Sequence, residues 1–333
     1  MEIINLFTKN LIIKEKIKII NGNNQNNQNS EIYFMKTNET NETNETNETN
    51  ETNETNEINS LITIVTSYYI LKSKFNNTKY IEWIKNFLSI INNNFNLVIF
   101  TDKYTYLNIL KFIVPKRINV KIIIKEFENF NTYKYKEQWK FNHNRSLMNL
   151  HKVIDWKLNM LWNEKIFFVN EVINKKYYNT LFYAWCDISY FRNEINNINT
   201  KYLKNWPNLN KLYSSLFNDN LIHYACIQNN INIINETKEN IDKHYIFKKN
   251  NEPIHNHNIN IFAGGFFLSK CKNINEYAKL YDEKLSYYFK NNFFIKDDQT
   301  IVIDIILNNP HFFYIHKENS IYNEWFKFQY ILL

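Results

Sequence analysis

From residue 61 onward the chain alternates short apolar runs with helical stripes, and that alternation leaves few folds open. Residues 61–69 (LITIVTSYY) are a β-branched apolar run that reads as a buried strand. Residues 79–92 place apolar side chains at 81, 84, 87, 88 and 91, the stripe of an amphipathic helix. A second short strand is expected at 97–102 (LVIFTD), helix at 103–112, and a third strand at 118–127. Further on, 151–174 reads as one long or two short helices, 181–188 (LFYAWCDI) as a strand, and 259–270 as strand, glycine turn, strand. Helices are expected at 276–290 and 297–309, and a last strand at 312–315, whereas 201–250 shows only weak periodicity. Strands that alternate with helices predict an α/β fold, a mostly parallel sheet flanked by helices. Ligands of such sheets bind beyond the carboxyl ends of the strands, where Thr66, Ser67, Tyr68, Thr101 and Asp102 fall.

The chain ahead of this pattern is different. Residues 1–30 read as a polar extension, and 31–57 contain an Asn-Glu-Thr triplet repeat with nothing to bury, expected to be disordered. One folded domain is expected over 58–333. No secretory signal is visible, because Lys9, Lys14, Glu15, Lys16 and Lys18 interrupt the first apolar stretch, and no uncharged run is long enough to span a bilayer. Three widely spaced cysteines, Cys186, Cys226 and Cys271, argue against a disulfide framework and fit a reducing, cytoplasmic compartment. The net charge of +7 favours anionic ligands. Yet 37 of the 40 basic residues are scattered lysines, so nucleic acid is an unfavoured partner.

Scarcity marks the candidate site. Arginine and glycine occur three times each, and Arg192, Gly264 and Gly265 belong to two short segments, 183–192 (YAWCDISYFR) and 261–270 (IFAGGFFLSK). Asp187 ends an apolar run, where a carboxylate needs a cation. It can hold a divalent metal that grips a diphosphate, with His311 or His316 as a further ligand, or it can pair with Arg192. The glycine pair is either a bulge or turn, or a place where a ligand approaches the backbone. Asp297, Asp298 and Gln299 open a helix, as N-caps or as a general base and hydroxyl-binding group. Lys165, in an apolar helical stretch, either snorkels to solvent or reaches a phosphate. His255 and His257 form an H-x-H with too few partners for a metal site.

In order along the chain, 63–69 (TIVTSYY), 98–102 (VIFTD), 160–173 (MLWNEKIFFVNEVI), 182–192 (FYAWCDISYFR), Trp206-Pro207, 263–270 (AGGFFLSK) and 297–303 (DDQTIVI) resemble the HtrL/YibB-like family. The resemblance spans about residues 61–325. It implies a GT-A-like, Rossmann-like glycosyltransferase associated with surface-glycan synthesis. That enzyme would move a sugar from a nucleotide-sugar donor to a glycan or glycoprotein acceptor. Under it, Thr66, Ser67, Tyr68 and Asp102 would lie near the nucleoside, with Lys165 and Arg192 at the phosphates. Asp187 would ligate Mn2+ or Mg2+, Gly264, Gly265 and Gln299 would shape the sugar site, and Asp297 and Asp298 would be the catalytic carboxylates. The second aspartate of the usual metal pair is Ser189 here, so another ligand would have to come from elsewhere. The alternatives are a non-catalytic protein that retains the fold and a nucleic-acid-binding protein. A chain without a spanning segment could still act at a membrane surface.

Overall fold

The structure, a computed structural model, describes residues 62–145, 148–217, 220–247, 254–319 and 321–333. The expectations for residues 1–57 lie outside the described residues. Seven strands form one sheet: β1 (Ile62–Ser67), β2 (Phe95–Thr101), β3 (Val120–Ile124), β4 (Phe182–Cys186), β5 (Ile222–Cys226), β6 (Phe262–Lys270) and β7 (Phe313–His316). Their order is β3-β2-β1-β4-β6-β5-β7. All neighbouring pairs are parallel except those of β6, which runs antiparallel to β4 and to β5. This is the α/β, mostly parallel sheet expected from the alternation.

β1 and β2 are buried along their whole length, which is why they read as continuous apolar runs. The two-residue period of a strand still sorts their side chains. Ile62 and Ile64 join Leu97, Ile99, Phe182 and Ala184 in one core, while Val65, Val98, Phe100, Tyr183 and Trp185 join the other. Helix Asn77–Ser89 covers the first face through Ile84 and Phe87, and Asn76 caps it by accepting from the Lys79 amide at 2.9 Å. Helix Lys165–Asn174 covers the second face through Ile166, Phe168, Val169 and Val172. The region 151–174 is broken into Asn149–Val153, Trp156–Trp162 and Lys165–Asn174.

Two elements differ from the reading of the sequence. β5 and helix Ile231–Phe247 arise in the stretch that showed weak periodicity. In addition, β6 is a single strand that runs straight through Gly264 and Gly265 with no turn, and neither glycine has a positive φ. The chain therefore does not use these glycines for backbone freedom. Among the described residues no helix is long and apolar enough to cross a membrane.

Candidate active site

The parallel strands β1 and β4 end on the same side of the sheet, and the loops beyond them meet β6 and the start of helix Asp298–Asn308. Together they line a cleft of about 350 Å³. Lys74, Lys165, Asp187, Arg192, Gly264, Gly265, Asp297, Asp298 and Gln299 all face it.

Asp187 follows β4, and its amide donates to the Gly265 carbonyl at 2.8 Å, so the ladder fixes its backbone. Its Oδ1 accepts from the Trp185 indole at 2.7 Å and pairs with Lys165 Nζ at 3.1 Å. Lys165 opens its helix with the ammonium turned into the protein. That ammonium meets Asp298 Oδ2 at 2.8 Å and donates to the Gly264 carbonyl at 2.8 Å. A lysine has three N–H donors, and these three oxygens account for them. Burial would lower the Lys165 pKa, but Asp187 and Asp298 outweigh it and hold the ammonium above its ordinary range. Asp298 is itself pushed up to about 6, by burial first, with Asp297 and Asp187 adding to the rise and Lys165 opposing it. The lysine is thus a buried counter-ion, neither snorkelling to solvent nor free for a phosphate.

Arg192 does not pair with Asp187. Its Nε donates to the Ser189 carbonyl at 3.1 Å, and its guanidinium lies 4.4 Å from the Trp83 ring centroid, with Phe326 and Phe75 at 5.2 and 5.7 Å. The loop that carries it is anchored through Tyr190, whose hydroxyl accepts from the Phe328 amide at 3.2 Å and whose carbonyl accepts from Gln329 at 2.7 Å.

Asp297 precedes its helix but gives it no side-chain cap, contrary to the N-cap reading. Its Oδ2 lies 3.4 Å from Lys296 Nζ, whereas its Oδ1 is buried without a hydrogen-bond partner, as is Gln299 Oε1. Both atoms are shut off from solvent, so each is an unpaired buried polar group, which is costly.

The glycine pair is explained by these neighbours. A Cβ on Gly264 would stand 2.7 Å from Asp298 Oδ2, while one on Gly265 would meet the Tyr190 ring at 3.4 Å and Asp187 Oδ2 at 3.5 Å, ordinary contact. Gly264→Ala is therefore expected to push Asp298 off Lys165 and to cost about 1–3 kcal/mol, the usual range for overpacking. Gly265→Ala should be near neutral. Urea unfolding of the two variants checks the contrast; equal effects would overturn this account of Gly264.

The remaining expected site residues lie beside this cluster or away from it. Ser67 and Tyr68 line a pocket that adjoins the cleft, together with Tyr80, Trp162, Lys165 and Asp187. Thr66 is buried in β1. Asp102 caps the next helical turn, its Oδ1 accepting from the Thr105 amide at 2.6 Å. Neither lines the cleft or the adjoining pocket. The proposed metal set is not assembled. His316 stands against His223, Phe217 and Phe328, and His311 is exposed against Phe312. No three His, Cys, Asp or Glu side chains among the described residues group to hold a metal ion. Lys165 and the Trp185 indole already occupy Asp187 Oδ1, and Ser189 stands in place of a second carboxylate, so of the expected donor set only Asp187 Oδ2 is left for Mn2+ or Mg2+. Sequence reasoning missed Lys74, which sits in the loop after β1 with Nζ 5.5 Å from the Trp162 ring centroid. Nothing in the local pattern singled out one lysine among so many; only its place past the end of β1 could have.

No family model matches the chain, and no curated protein matches it, so HtrL/YibB-like remains a resemblance of motifs. Among solved structures, the chain is similar to mouse xyloside xylosyltransferase 1 in its apo form, at 11% identity and a TM-score of 0.42, over 77% of this chain and 85% of that one. It is also similar to the apo structure of the bifunctional glycosyltransferase WbbM, at 12% identity and a TM-score of 0.34, over 78% of this chain and 38% of that one. At such identity neither protein's activity transfers to this chain.

Proposed function

We propose that this chain is a GT-A-like glycosyltransferase that moves a sugar from a nucleotide-sugar donor to a glycan or glycoprotein acceptor in the cytoplasm. The observation that carries the reading is a cleft past the ends of β1 and β4 lined by two kinds of group. Asp187, Asp297, Asp298 and Gln299 are of a type suited to sugar hydroxyls. Lys74 and Arg192 are cations suited to a diphosphate. The aromatic pocket of Tyr68, Tyr69, Tyr80 and Trp162 beside it suits the flat face of a base.

In such a transfer an acceptor oxygen bonds to the anomeric carbon, the bond from that carbon to the diphosphate oxygen breaks, and the hydroxyl proton leaves the acceptor. Asp298, whose pKa is pushed to about 6, is an ionised carboxylate at neutral pH with enough basicity to take that proton. Lys165 fixes where its Oδ2 lies.

Two measurements test the reading. Melting curves with UDP, GDP, CMP and ADP should show a rise with at least one nucleotide, because a ligand of the native state stabilises it by mass action. Asp298→Asn should retain that rise but slow release of the nucleotide from its matching sugar nucleotide by about 10²–10⁴-fold. If no nucleotide or sugar nucleotide moves the melting point, the cleft is not a donor site and a non-catalytic role takes its place.

A further inference from the structure

If the cleft holds a nucleotide sugar, something must neutralise the diphosphate. We propose that Lys74 and Arg192, side chains of this chain, do so in place of a divalent cation. The inference rests on the glycosyltransferase reading and goes beyond it, to the charge chemistry of the leaving group.

Four observations converge. First, the residue expected to hold the metal already has a cation: Asp187 Oδ1 is bonded to Lys165 and to the Trp185 indole. A dication placed there would face an ammonium 3.1 Å from the same oxygen. Second, no three His, Cys, Asp or Glu side chains group together among the described residues, so a metal here would take most of its ligands from water and the substrate. Third, Lys165 cannot serve the phosphates itself, since Asp187, Asp298 and the Gly264 carbonyl take its three donors.

Fourth, the cleft holds two further cations that make no ion pair with the described residues. Arg192 gives only its Nε to protein, so the N–H groups of both terminal nitrogens have no acceptor among the described residues. The Trp83 ring lies against the guanidinium and holds the fork in place, while its edge stays open. Phosphate oxygens match that fork in a bidentate way. Lys74 opens on the same cleft from the loop after β1, with the Trp162 ring beside it. Its side chain is exposed, yet nearby protein atoms draw its pKa below the ordinary lysine value, with Asp297 pulling the other way. An ammonium in that setting gains from an incoming anion. Bond breaking leaves the shared electron pair on the diphosphate oxygen, and these two cations would meet the charge that develops there.

The test is direct binding to the full chain. Calorimetric titrations with pyrophosphate, UDP, GDP and ADP are run in EDTA and again in Mn2+. At least one nucleoside diphosphate should bind in EDTA, with its Kd changed less than about twofold by Mn2+. Lys74→Ala and Arg192→Ala should each weaken that binding about tenfold or more, as expected for a lost charge-assisted hydrogen bond, while binding of the matching nucleoside is unchanged. Arg192→Lys, which keeps the charge but not the fork, should fall between. Melting curves establish that each variant is folded. Binding that requires Mn2+ overturns the clamp and leaves the transferase reading standing. So does a diphosphate affinity that is indifferent to both substitutions. Failure of every nucleotide to bind in either condition removes the transferase reading, and the clamp with it.

Discussion

Replacing Lys165 by alanine is expected to lower the free energy of unfolding by about 3–5 kcal/mol, the range for stripping one partner from a buried ion pair. The side chain is almost wholly buried, and so is Asp298, so little water reaches the gap to solvate what is left. The variant would leave two carboxylates and the Gly264 carbonyl around an empty position. Asp298 would then take up a proton, because its pKa already stands near 6 with the ammonium in place and Lys165 is the group that opposes the rise. The sign of the pH dependence follows from Lys165 itself. Its folded-state pKa lies above the ordinary lysine value, so its contribution is complete below that value and is lost only as pH rises through the folded one. The contribution is therefore present in full at neutral pH. Denaturant unfolding at neutral pH measures the loss. The pair variant Lys165→Met with Asp298→Asn provides the control, since removing both charges avoids an uncompensated ion and should restore part of the stability. A loss below about 1 kcal/mol for Lys165→Ala would mean that the cluster is solvated like a surface pair.

The same cluster shows how far the sequence could be read. Strands buried on both faces are legible because nearly every residue must be apolar or small, as in Ile62–Ser67 and in Phe95–Thr101 apart from Asn96. Helix Asn77–Ser89 is legible because its buried side chains, Trp83, Ile84 and Phe87, fall on one stripe. β5 is not, since His223 interrupts its apolar run and asparagines follow it; the histidine is accommodated by His316 of the neighbouring strand, with ring nitrogens 3.2 Å apart, a contact 93 residues away. Distance along the chain also hid the partner of Asp187. Arg192, five residues on, was the nearer cation, but the loop turns its guanidinium onto Trp83, and Lys165 arrives from the helix before β4. The rarity of glycine pointed to the right segment and the wrong cause. Gly264 is needed because Asp298 packs where a Cβ would be, information held in residue 298 and not in the turn propensity of residue 264. Gly264 and Gly265 were legible as candidates because glycine is rare in this chain, Asp187 because it ends an apolar run, and Asp297, Asp298 and Gln299 because they open a helix. Lys74 carries no such mark.

Acid should expose a second buried group of side chains. Between about pH 7.5 and about pH 5 the protein is expected to lose stability as pH falls, by about 1.4 kcal/mol per pH unit for each net proton that only the unfolded state takes up. The cause is His151, His255 and His257, each at most 5% exposed. His151 and His257 pack against Phe294, and the His255 and His257 rings lie 5.1 Å apart. Burial, first of all, lowers the pKa of each. His257 falls furthest, with His255 and Lys296 adding to the drop, whereas backbone carbonyls at Lys296 and Thr300 partly restore His151 and His255. These rings take protons less readily in the folded chain than in the unfolded chain, where they protonate below about 6.5, the ordinary histidine value. The unfolded state then binds more protons, so stability is complete above that value and drains away beneath it. Asp298 works in the opposite direction. Its folded value near 6 exceeds its unfolded one, so it adds stability as pH falls through 6 and offsets part of the histidine slope. Urea unfolding across the range tests the balance. His257→Phe keeps a ring against Phe294 and removes one proton site, so it should flatten the curve by about one proton. Stability that stays level or climbs as pH falls from 7 to 5 would show that the three rings are protonated in the native state, and that the cluster around Phe294 is open to water.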